Sequence, residues 1–220
     1  MTETTTIGPP VHEPNARGAT AVRIEDDAIP IVRLLGRTIT DSIRAGVSVP
    51  QAGESVIVVR SSDTPQTATI TLSDGAIAVA AGAFVESHVT LTVDMNRRLA
   101  VVETSAAEDD LAATAIALLS PPLPHWKTAA ESFWDSARSV PGIPDMLVAI
   151  TEGPDGIDQH VVGEGDTHYV IAGPPDLLAG VFSGADDLIT ALSSGLMGVR
   201  GTFSQLSVLV AASWKVRYDV

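Results

Sequence analysis

The hydrophobic positions of this chain follow two different periods, which indicates both helices and strands. In the segment 28–46, apolar residues recur at spacings of three and four, and this period predicts an amphipathic helix. Its apolar face is formed by Ile31, Leu34, Leu35, Ile39 and Ile43. Pro30 falls in the first turn, where its missing backbone N–H costs no hydrogen bond.

Strand-like segments follow this helix. They read SVIVVRSS, TATITLS, AIAVAAG and HVTLTVD, and apolar residues alternate strictly with polar ones in the second and the fourth. Asp74-Gly75 separates the second from the third and is a strong signal for a hairpin turn. Strict alternation predicts an antiparallel sheet with one buried face.

The rest of the chain repeats this mixture. Segments 106–119 and 124–140 are predicted helices, and Pro121-Pro122 separates them. The predicted strands MLVAITE, IDQHVVG and THYVIAG come next. Gly173-Pro174-Pro175-Asp176 then begins a predicted helix, a further helix covers 186–194, an extended segment covers 196–201, and a final helix covers 204–214.

Two parts of the chain resemble each other. When Pro30 is placed on Pro124, Asp41 falls on Asp135 and Arg44 on Arg138. Further along, Asp74-Gly75 matches Asp155-Gly156, and His88 matches His168. We interpret this as one α+β unit present twice, with a tail at 1–20 and units at 21–120 and 121–220; chance similarity between short segments is the alternative.

Composition narrows the possible functions. The net charge of −14 disfavours nucleic-acid binding, which needs Lys and Arg against phosphate. The absence of cysteine excludes disulfides and zinc–thiolate sites. No apolar run is long enough to cross a bilayer, and the first residues lack the features of a secretion signal, so we expect a cytoplasmic protein without stable membrane insertion. We expect no metal and no cofactor.

The last third of the chain carries a family resemblance. The stretch HYVIAGPPDLLAGVFSGADDLITALSSGLMGVRGTFSQLSVLV runs through a strand, a Leu-rich helix and a glycine element, 195–201, before a final helix. This order resembles the sterol carrier protein 2 family, in which a helix-covered antiparallel sheet encloses an apolar tunnel. The first half shows the strand–Asp-Gly–strand portion, but LLSPPLP stands where its glycine element would be.

This resemblance implies noncovalent binding or carriage of a hydrophobic molecule, such as a sterol, a fatty acid or a fatty acyl chain, in the C-terminal unit. The candidate cavity lining is Leu177, Leu178, Val181, Phe182, Leu188, Leu192, Leu196, Met197, Phe203, Leu206 and Leu209. Among these, Phe182 offers a flat ring and Met197 an adaptable side chain. The alternative is that these residues only fill the core.

Two other classes of function stay open. Trp126 and Trp134 lie two helical turns apart and could form a face for a homodimer or a protein partner, as in an interaction module without lipid. An accessory subunit of a steroid- or acyl-CoA-degrading enzyme is the other class. The sequence shows no catalytic constellation, so we expect no enzymatic activity.

Overall fold

The computed structural model describes residues 20–49, 53–73, 75–153 and 156–218, and this part of the chain combines helices with two β-sheets. The predicted α+β class is confirmed. The predicted turn residues Asp74 and Asp155, and all but the last residue of the predicted tail, lie outside the described residues.

The helices match the hydrophobic periods closely. They are α1 (Pro30–Arg44), α2 (Asp109–Leu119), α3 (Trp126–Ala137), α4 (Pro175–Phe182), α5 (Leu188–Ser193) and α6 (Phe203–Tyr218). Pro30 and Pro175 each stand at the first helical position. A proline there is already at its preferred φ and removes no helical hydrogen bond, so both helices begin where the sequence predicts.

The strands include two that the sequence did not predict. They are β1 (Ala21–Ile24), β2 (Ser55–Ser61), β3 (Thr67–Ser73), β4 (Ala76–Ala81), β5 (Val89–Asp94), β6 (Ala100–Ala106), β7 (Met146–Gly153), β8 (Gly156–Gly163), β9 (His168–Ala172) and β10 (Gly198–Arg200). The unpredicted strands, β1 and β6, form the two edges of the first sheet and bury none of their residues fully. Edge strands without a buried face lack the alternation that identifies a strand.

The first sheet has the order β1-β4-β3-β2-β5-β6 and is mixed. The β2–β3, β3–β4 and β5–β6 pairs are antiparallel, whereas β1–β4 and β2–β5 are parallel. The predicted antiparallel sheet therefore also contains these two parallel pairs. The chain returns from β4 to the free edge of β2 through residues 82–88, and that return makes β5 run parallel to β2.

One face of the first sheet packs against α1 and α2. Ile57, Ile70 and Leu91 project from neighbouring strands into the same buried cluster as Leu35 of α1 and Leu118 of α2. The opposite face is rich in threonine and alanine, in keeping with the alternation of β3 and β5.

The second sheet has the order β10-β9-β7-β8 and is covered by α3 and α4, and α6 packs against both of these helices. Leu147 and Tyr169 are neighbours across β7 and β9, and both are buried with Phe133 and Leu178. The hydrophobic core of the described chain is thus divided into two clusters, one on each sheet.

The two sheets share a connectivity. In each, a helix is followed by an antiparallel hairpin, and a later strand then joins the first hairpin strand in parallel. Ile57 pairs with Val89 in the first sheet as Leu147 pairs with Tyr169 in the second. The common origin of the halves and their boundaries at 20, 120 and 220 stay predictions.

Two arginines, one of them buried, connect the two halves. Arg217 of α6 is buried and donates from Nη1 to the carbonyl oxygens of Gly184 and Ala185 at 2.8 and 3.0 Å, and from Nη2 to the carbonyl oxygen of Met95. Arg37 of α1 donates to the carbonyl oxygens of Ser183 and Val216. These carbonyls lie at helix ends and in loops, where a side-chain donor replaces the missing helical N–H.

We expect Arg217→Met to lower the free energy of unfolding by about 3 kcal/mol, because it leaves buried carbonyl oxygens without a donor. Urea denaturation followed by circular dichroism measures this loss. Arg138→Met is the control, since Arg138 is exposed and its guanidinium contacts Asp135 one turn away, and its effect should stay within about 0.5 kcal/mol. Equal effects of the two substitutions would show that the hydrogen bonds of Arg217 do not stabilise the junction between the halves.

Candidate functional site

A cavity of about 650 Å³ lies between the two halves of the molecule. Its long walls are α1 and α3, the first helix of each half. Residues on one face of α1 form the first wall: Leu34, Arg37, Thr38, Asp41 and Arg44. The facing residues of α3 are Ala129, Ser132, Phe133 and Ser136. Both sets follow spacings of three and four, so each wall is a single helix face.

The connection between the halves closes one side of this cavity. Pro121, Pro122, Leu123 and Pro124 all line it. Prolines fix φ near −65° and cannot continue a helix, so this segment leaves α2 in an extended path and separates it from α3. In the first half, this proline-rich segment stands where the second half has its glycine element. The segment therefore forms part of the cavity wall.

Another side of the cavity is closed by the C-terminal helices and by a turn of the first sheet. Phe182 is the last residue of α4, Ser183, Gly184 and Ala185 follow it, and Val216 comes from α6. Gly184 has a φ of +73°, and a Cβ there would overlap Nη1 of Arg37 and approach Cα of Arg217 to 2.9 Å. Glycine at this position allows both arginines to reach the carbonyls that join the halves.

The turn between β5 and β6 has an unusual backbone. Arg98 and Leu99 both have positive φ, +49° and +53°, and Ala100 donates its N–H to the carbonyl oxygen of Arg97 at 2.7 Å. Such a turn normally carries Asn-Gly, because side chains crowd the left-handed region. Leu99 is buried in the first core, and Arg98 bonds to the second half. Tertiary contacts on both sides therefore hold this turn, and both residues line the cavity.

Arg98 joins two carboxylates at the edge of the site. Its Nε lies 2.6 Å from Oδ2 of Asp186, and its Nη2 lies 2.8 Å from Oδ2 of Asp176. Desolvation lowers the pKa of Arg98, but the hydrogen bonds to Asp176 and Asp186 outweigh it, so the pKa is raised. Arg98 therefore stays charged, and both of its partners belong to the C-terminal half.

Asp186 is buried beside Gly180. A Cβ at Gly180 would overlap Oδ2 of Asp186, so this glycine leaves room for the carboxylate against α4. Burial raises the pKa of Asp186 more than the hydrogen bond and the charge of Arg98 lower it. The charged form of Asp186 therefore loses solvation energy that its ion pair with Arg98 only partly offsets, as is common for buried ion pairs.

The charged groups of the cavity wall already bond to the protein. Arg37 contacts carbonyl oxygens, Arg98 contacts carboxylates, and Arg44 lies 3.4 Å from Asp41 at the exposed margin. The remaining lining is mainly apolar side chains with serine and threonine hydroxyls. This arrangement can hold an apolar molecule and offer it a few neutral hydrogen bonds.

The structure places one predicted site residue, Phe182, in this cavity. Leu177 and Leu196 line a second, smaller cavity of about 210 Å³ together with Arg98 and Asp186. Phe203 and Leu196 are exposed rather than enclosed. The other predicted residues lie in or around the second core: Leu178, Val181, Leu188, Met197 and Leu209 are buried there, and Leu192 and Leu206 are partly buried.

Sequence reasoning missed most of the cavity wall. The missed residues include Leu34, Thr38, Leu99, Ser132 and Phe133. One signal was present, because the alignment that predicted the repeat places Thr38 on Ser132, and these residues line opposite walls. Nothing in a single sequence indicates that the two helices face each other across a gap.

The second core encloses polar atoms without partners. The Tyr169 hydroxyl and Oγ1 of Thr151 are buried and make no hydrogen bond of normal geometry within the described residues. The hydroxyl of Tyr169 lies near the backbone of Leu209, and burial raises its pKa. Such groups lose water without replacing it, which costs stability.

Trp126 and Trp134 are buried in the second core. A partner face formed by their rings is therefore not supported, and the packing of α3 against β8 explains their spacing. His160, which faces this helix, bonds to Glu131 at 3.1 Å. In the described ranges, no cluster of three His, Cys, Asp or Glu residues could hold a metal ion. Across the same ranges, no helix has the length and apolar character needed to cross a membrane.

Comparisons with known proteins find partial similarity to sterol carrier proteins. No family model and no curated protein sequence matches the chain. Palmitated SCP2L2 from Aedes aegypti matches with a TM-score of 0.33 and 10% identity, over 42% of this chain and 95% of its own. The sterol carrier protein domain 2 of Helicoverpa armigera matches with a TM-score of 0.35 and 12% identity, over 43% of this chain and 87% of its own. A crystal structure of sterol carrier protein 2 matches with a TM-score of 0.29 and 20% identity, over 43% of this chain and 95% of its own. Each of these matches covers less than half of this chain, and a duplication is not confirmed.

We expect Tyr169→Phe to raise the free energy of unfolding by about 1 kcal/mol, because it removes a buried hydroxyl that has no partner and keeps the ring. Thermal and urea denaturation measure the change. Tyr218→Phe is the matched control, since the Tyr218 hydroxyl accepts a hydrogen bond from Nε of Arg217 at 3.4 Å; this substitution should not stabilise the protein. A loss of stability in Tyr169→Phe would show that the hydroxyl is satisfied in solution.

The raised pKa of Asp186 predicts a dependence of stability on pH. The native carboxyl keeps its proton to higher pH than the unfolded one, whose ordinary value is 3.8. Its contribution to stability is therefore present at low pH and is lost as the pH rises from that value through the raised pKa. Urea denaturation from about pH 4 upward should show wild type losing stability relative to Asp186→Asn. If wild type instead gained stability relative to Asp186→Asn as the pH rises, the charge of Arg98 would outweigh burial and lower the pKa of Asp186.

Proposed function

We propose that this protein binds a hydrophobic small molecule noncovalently in the cavity between α1 and α3. The observation that supports the proposal is the cavity itself, with its mainly apolar wall and its volume of about 650 Å³. Pockets that bind small molecules usually have volumes of about 300–1,000 Å³ and a few polar groups in an apolar lining. The ligand classes that we propose are a sterol, a fatty acid or a fatty acyl chain.

Burial of the ligand supplies the binding energy in this proposal. Each methylene removed from water contributes about 0.8 kcal/mol, so a twelve-carbon chain contributes roughly 10 kcal/mol before the costs of association. Leu34, Leu99, Phe133 and Phe182 provide apolar surface from both halves of the chain. The C-terminal half thus supplies one wall of the proposed site rather than the whole of it.

Polar groups select among such ligands. The hydroxyls of Thr38 and Ser132 stand on opposite walls and can bond to a ligand hydroxyl or carbonyl. A charged head group fits less well inside, because Arg37 and Arg98 are already bonded to protein groups. We propose binding, and carriage of the ligand, without a chemical step, since no described lining residue pairs a nucleophile with a base.

Native mass spectrometry of freshly purified protein, followed by solvent extraction, tests the function. One lipid per chain is the expected result, and its mass identifies the class. A ligand present at a free concentration of about one hundred times its dissociation constant should raise the free energy of unfolding by about 2.7 kcal/mol. An unliganded mass, with no change in melting temperature across sterols, fatty acids and acyl chains, would overturn the function.

Ser132→Trp tests the location separately. Ser132 is exposed on α3 and lines the cavity, so an indole there occupies the ligand volume without entering the core. We expect at least a tenfold loss of affinity, since about 1.4 kcal/mol of lost contact suffices. Thr128→Trp is the matched control, because Thr128 is exposed on the same helix outside the cavity lining. Full ligand occupancy in Ser132→Trp would show that the ligand binds elsewhere in the protein, and it would not contradict the proposed binding function.

A further inference from the structure

The larger cavity between α1 and α3 and the smaller cavity share one lining residue. Among the described residues, Arg98 alone lines both. The smaller cavity has about one third of the volume of the larger, 210 Å³ against 650 Å³, and it takes apolar surface from Leu177, Ala191 and Leu196. Apolar space therefore continues beyond the proposed ligand site, and Arg98 stands at the boundary.

A short stretch of paired backbone forms one part of this boundary. Arg97 and Asp186 are partners in an isolated antiparallel bridge, and Arg98 donates its N–H to the carbonyl oxygen of Ala185 at 3.2 Å. Leu99 and Ala185 line the larger cavity, whereas Arg97 and Asp186 line the smaller one. Because neighbouring residues on both segments face different cavities, the bridge lies between the two.

Helix α4 forms another part of the boundary. Leu177 of this helix lines the smaller cavity, and Phe182 lines the larger one. Gly180 lies between them along the helix, and a Cβ there would come within 3.2 Å of Nε of Arg98 and would overlap Oδ2 of Asp186. The helix therefore contributes no side chain at this point. The bulk between the cavities comes from Arg98 and from the carboxylate beside it.

Hydrogen bonds fix the side chain of Arg98 in this position. Its Nε lies 2.6 Å from Oδ2 of Asp186. Its Nη2 donates to the carbonyl oxygen of Asp176 at 2.9 Å and lies 2.8 Å from Oδ2 of the same residue. A planar guanidinium held by several charge-assisted contacts loses them together when its rotamer changes. Arg98 therefore acts as a fixed wall of both cavities.

We propose that the side chain of Arg98 is a partition that limits the length of the alkyl chain this protein binds. The inference rests on the proposed binding function. In wild type, an alkyl chain in the larger cavity ends against Arg98, and removal of that side chain lets a longer one continue into the smaller cavity. Burial of each further methylene raises the affinity about fourfold, so the limit is measurable in a series of ligands that differ only in length.

Two double variants differ only in the bulk at position 98. R98G/D186N removes the partition, and Asp186→Asn avoids a buried carboxylate that has lost its cation. Glycine suits this position, because Arg98 has a φ of +49°. R98M/D186N is the matched control, since it loses the same charges but keeps a long side chain. Circular dichroism and thermal denaturation establish that both variants fold.

Binding of straight-chain primary alcohols of roughly 8 to 20 carbons tests the partition, because their uncharged head can bond to the hydroxyls of the larger cavity. For wild type, the affinity should rise about fourfold per methylene up to a limiting length and then stop rising. For R98G/D186N, the rise should continue for at least two further methylenes, so alcohols beyond the wild-type limit should bind at least tenfold more tightly than to wild type. R98M/D186N should keep the wild-type limit.

Ser194→Trp tests the smaller cavity from its other side. Ser194 is exposed and lines that cavity, so an indole there fills it without entering a core. In the wild-type background, the limiting length should not change. In the R98G/D186N background, the same substitution should cancel the gain in affinity for longer alcohols.

Separate outcomes would overturn the partition and the proposed function. Equal limits in R98G/D186N and R98M/D186N would overturn the partition. A shorter limit after Ser194→Trp in wild type would do so as well, because the ligand would then already occupy the smaller cavity, and this result does not depend on the folding of the double variants. Wild type that binds sterols or fatty acids but no alcohol would overturn the partition alone. Wild type that binds none of these would overturn both.

Discussion

The buried guanidinium group of Arg217 determines how the two halves of this protein meet. Backbone carbonyls at the end of α4 and after β5 point into the junction, where they are cut off from water. A buried carbonyl without a donor destabilises the fold, so the junction forms only around groups with several N–H donors. Arg217 and Arg37 meet this need from opposite sides, one from each half of the chain. Apolar packing alone would stabilise each sheet and its helices separately, whereas these arginines fix the position of one half on the other.

The cavity follows from that position. Arg37, in the middle of α1, joins that helix to the ends of α4 and α6, and the proline-rich connection joins the two halves through the chain itself. Between these two attachments, α1 and α3 face each other without close contact. The gap therefore results from two separate constraints on chain geometry. This explains why apolar residues such as Leu34 and Phe133, which belong to different cores, come to share one cavity.

The fold was largely predictable from the sequence, and the site was not. Periods of 3.6 and 2 residues identified the six helices and most strands of the described residues, because each period reports the side of an element that faces its own core. The same logic failed for β1 and β6, which are edge strands, and for the parallel position of β5, which depends on the path of a loop. It also failed for the cavity. Leu178 and Met197 were predicted to line a site because they are apolar, yet burial in a core and contact with a ligand require the same residue type. Phe182 belongs to the second core and also lines the cavity.

The turn at Arg98 and Leu99 connects this structure to the order in which the chain is made. Both residues occupy the left-handed region, and Arg98 is held there through Asp186, which follows it by 88 residues. At a synthesis rate of about 5–20 residues per second, the turn waits roughly 4–18 s for its partner. During that interval the first sheet can form with a relaxed connection between β5 and β6. The turn then reaches its final shape only when the second half docks, so a residue synthesised much later completes the geometry of this earlier hairpin.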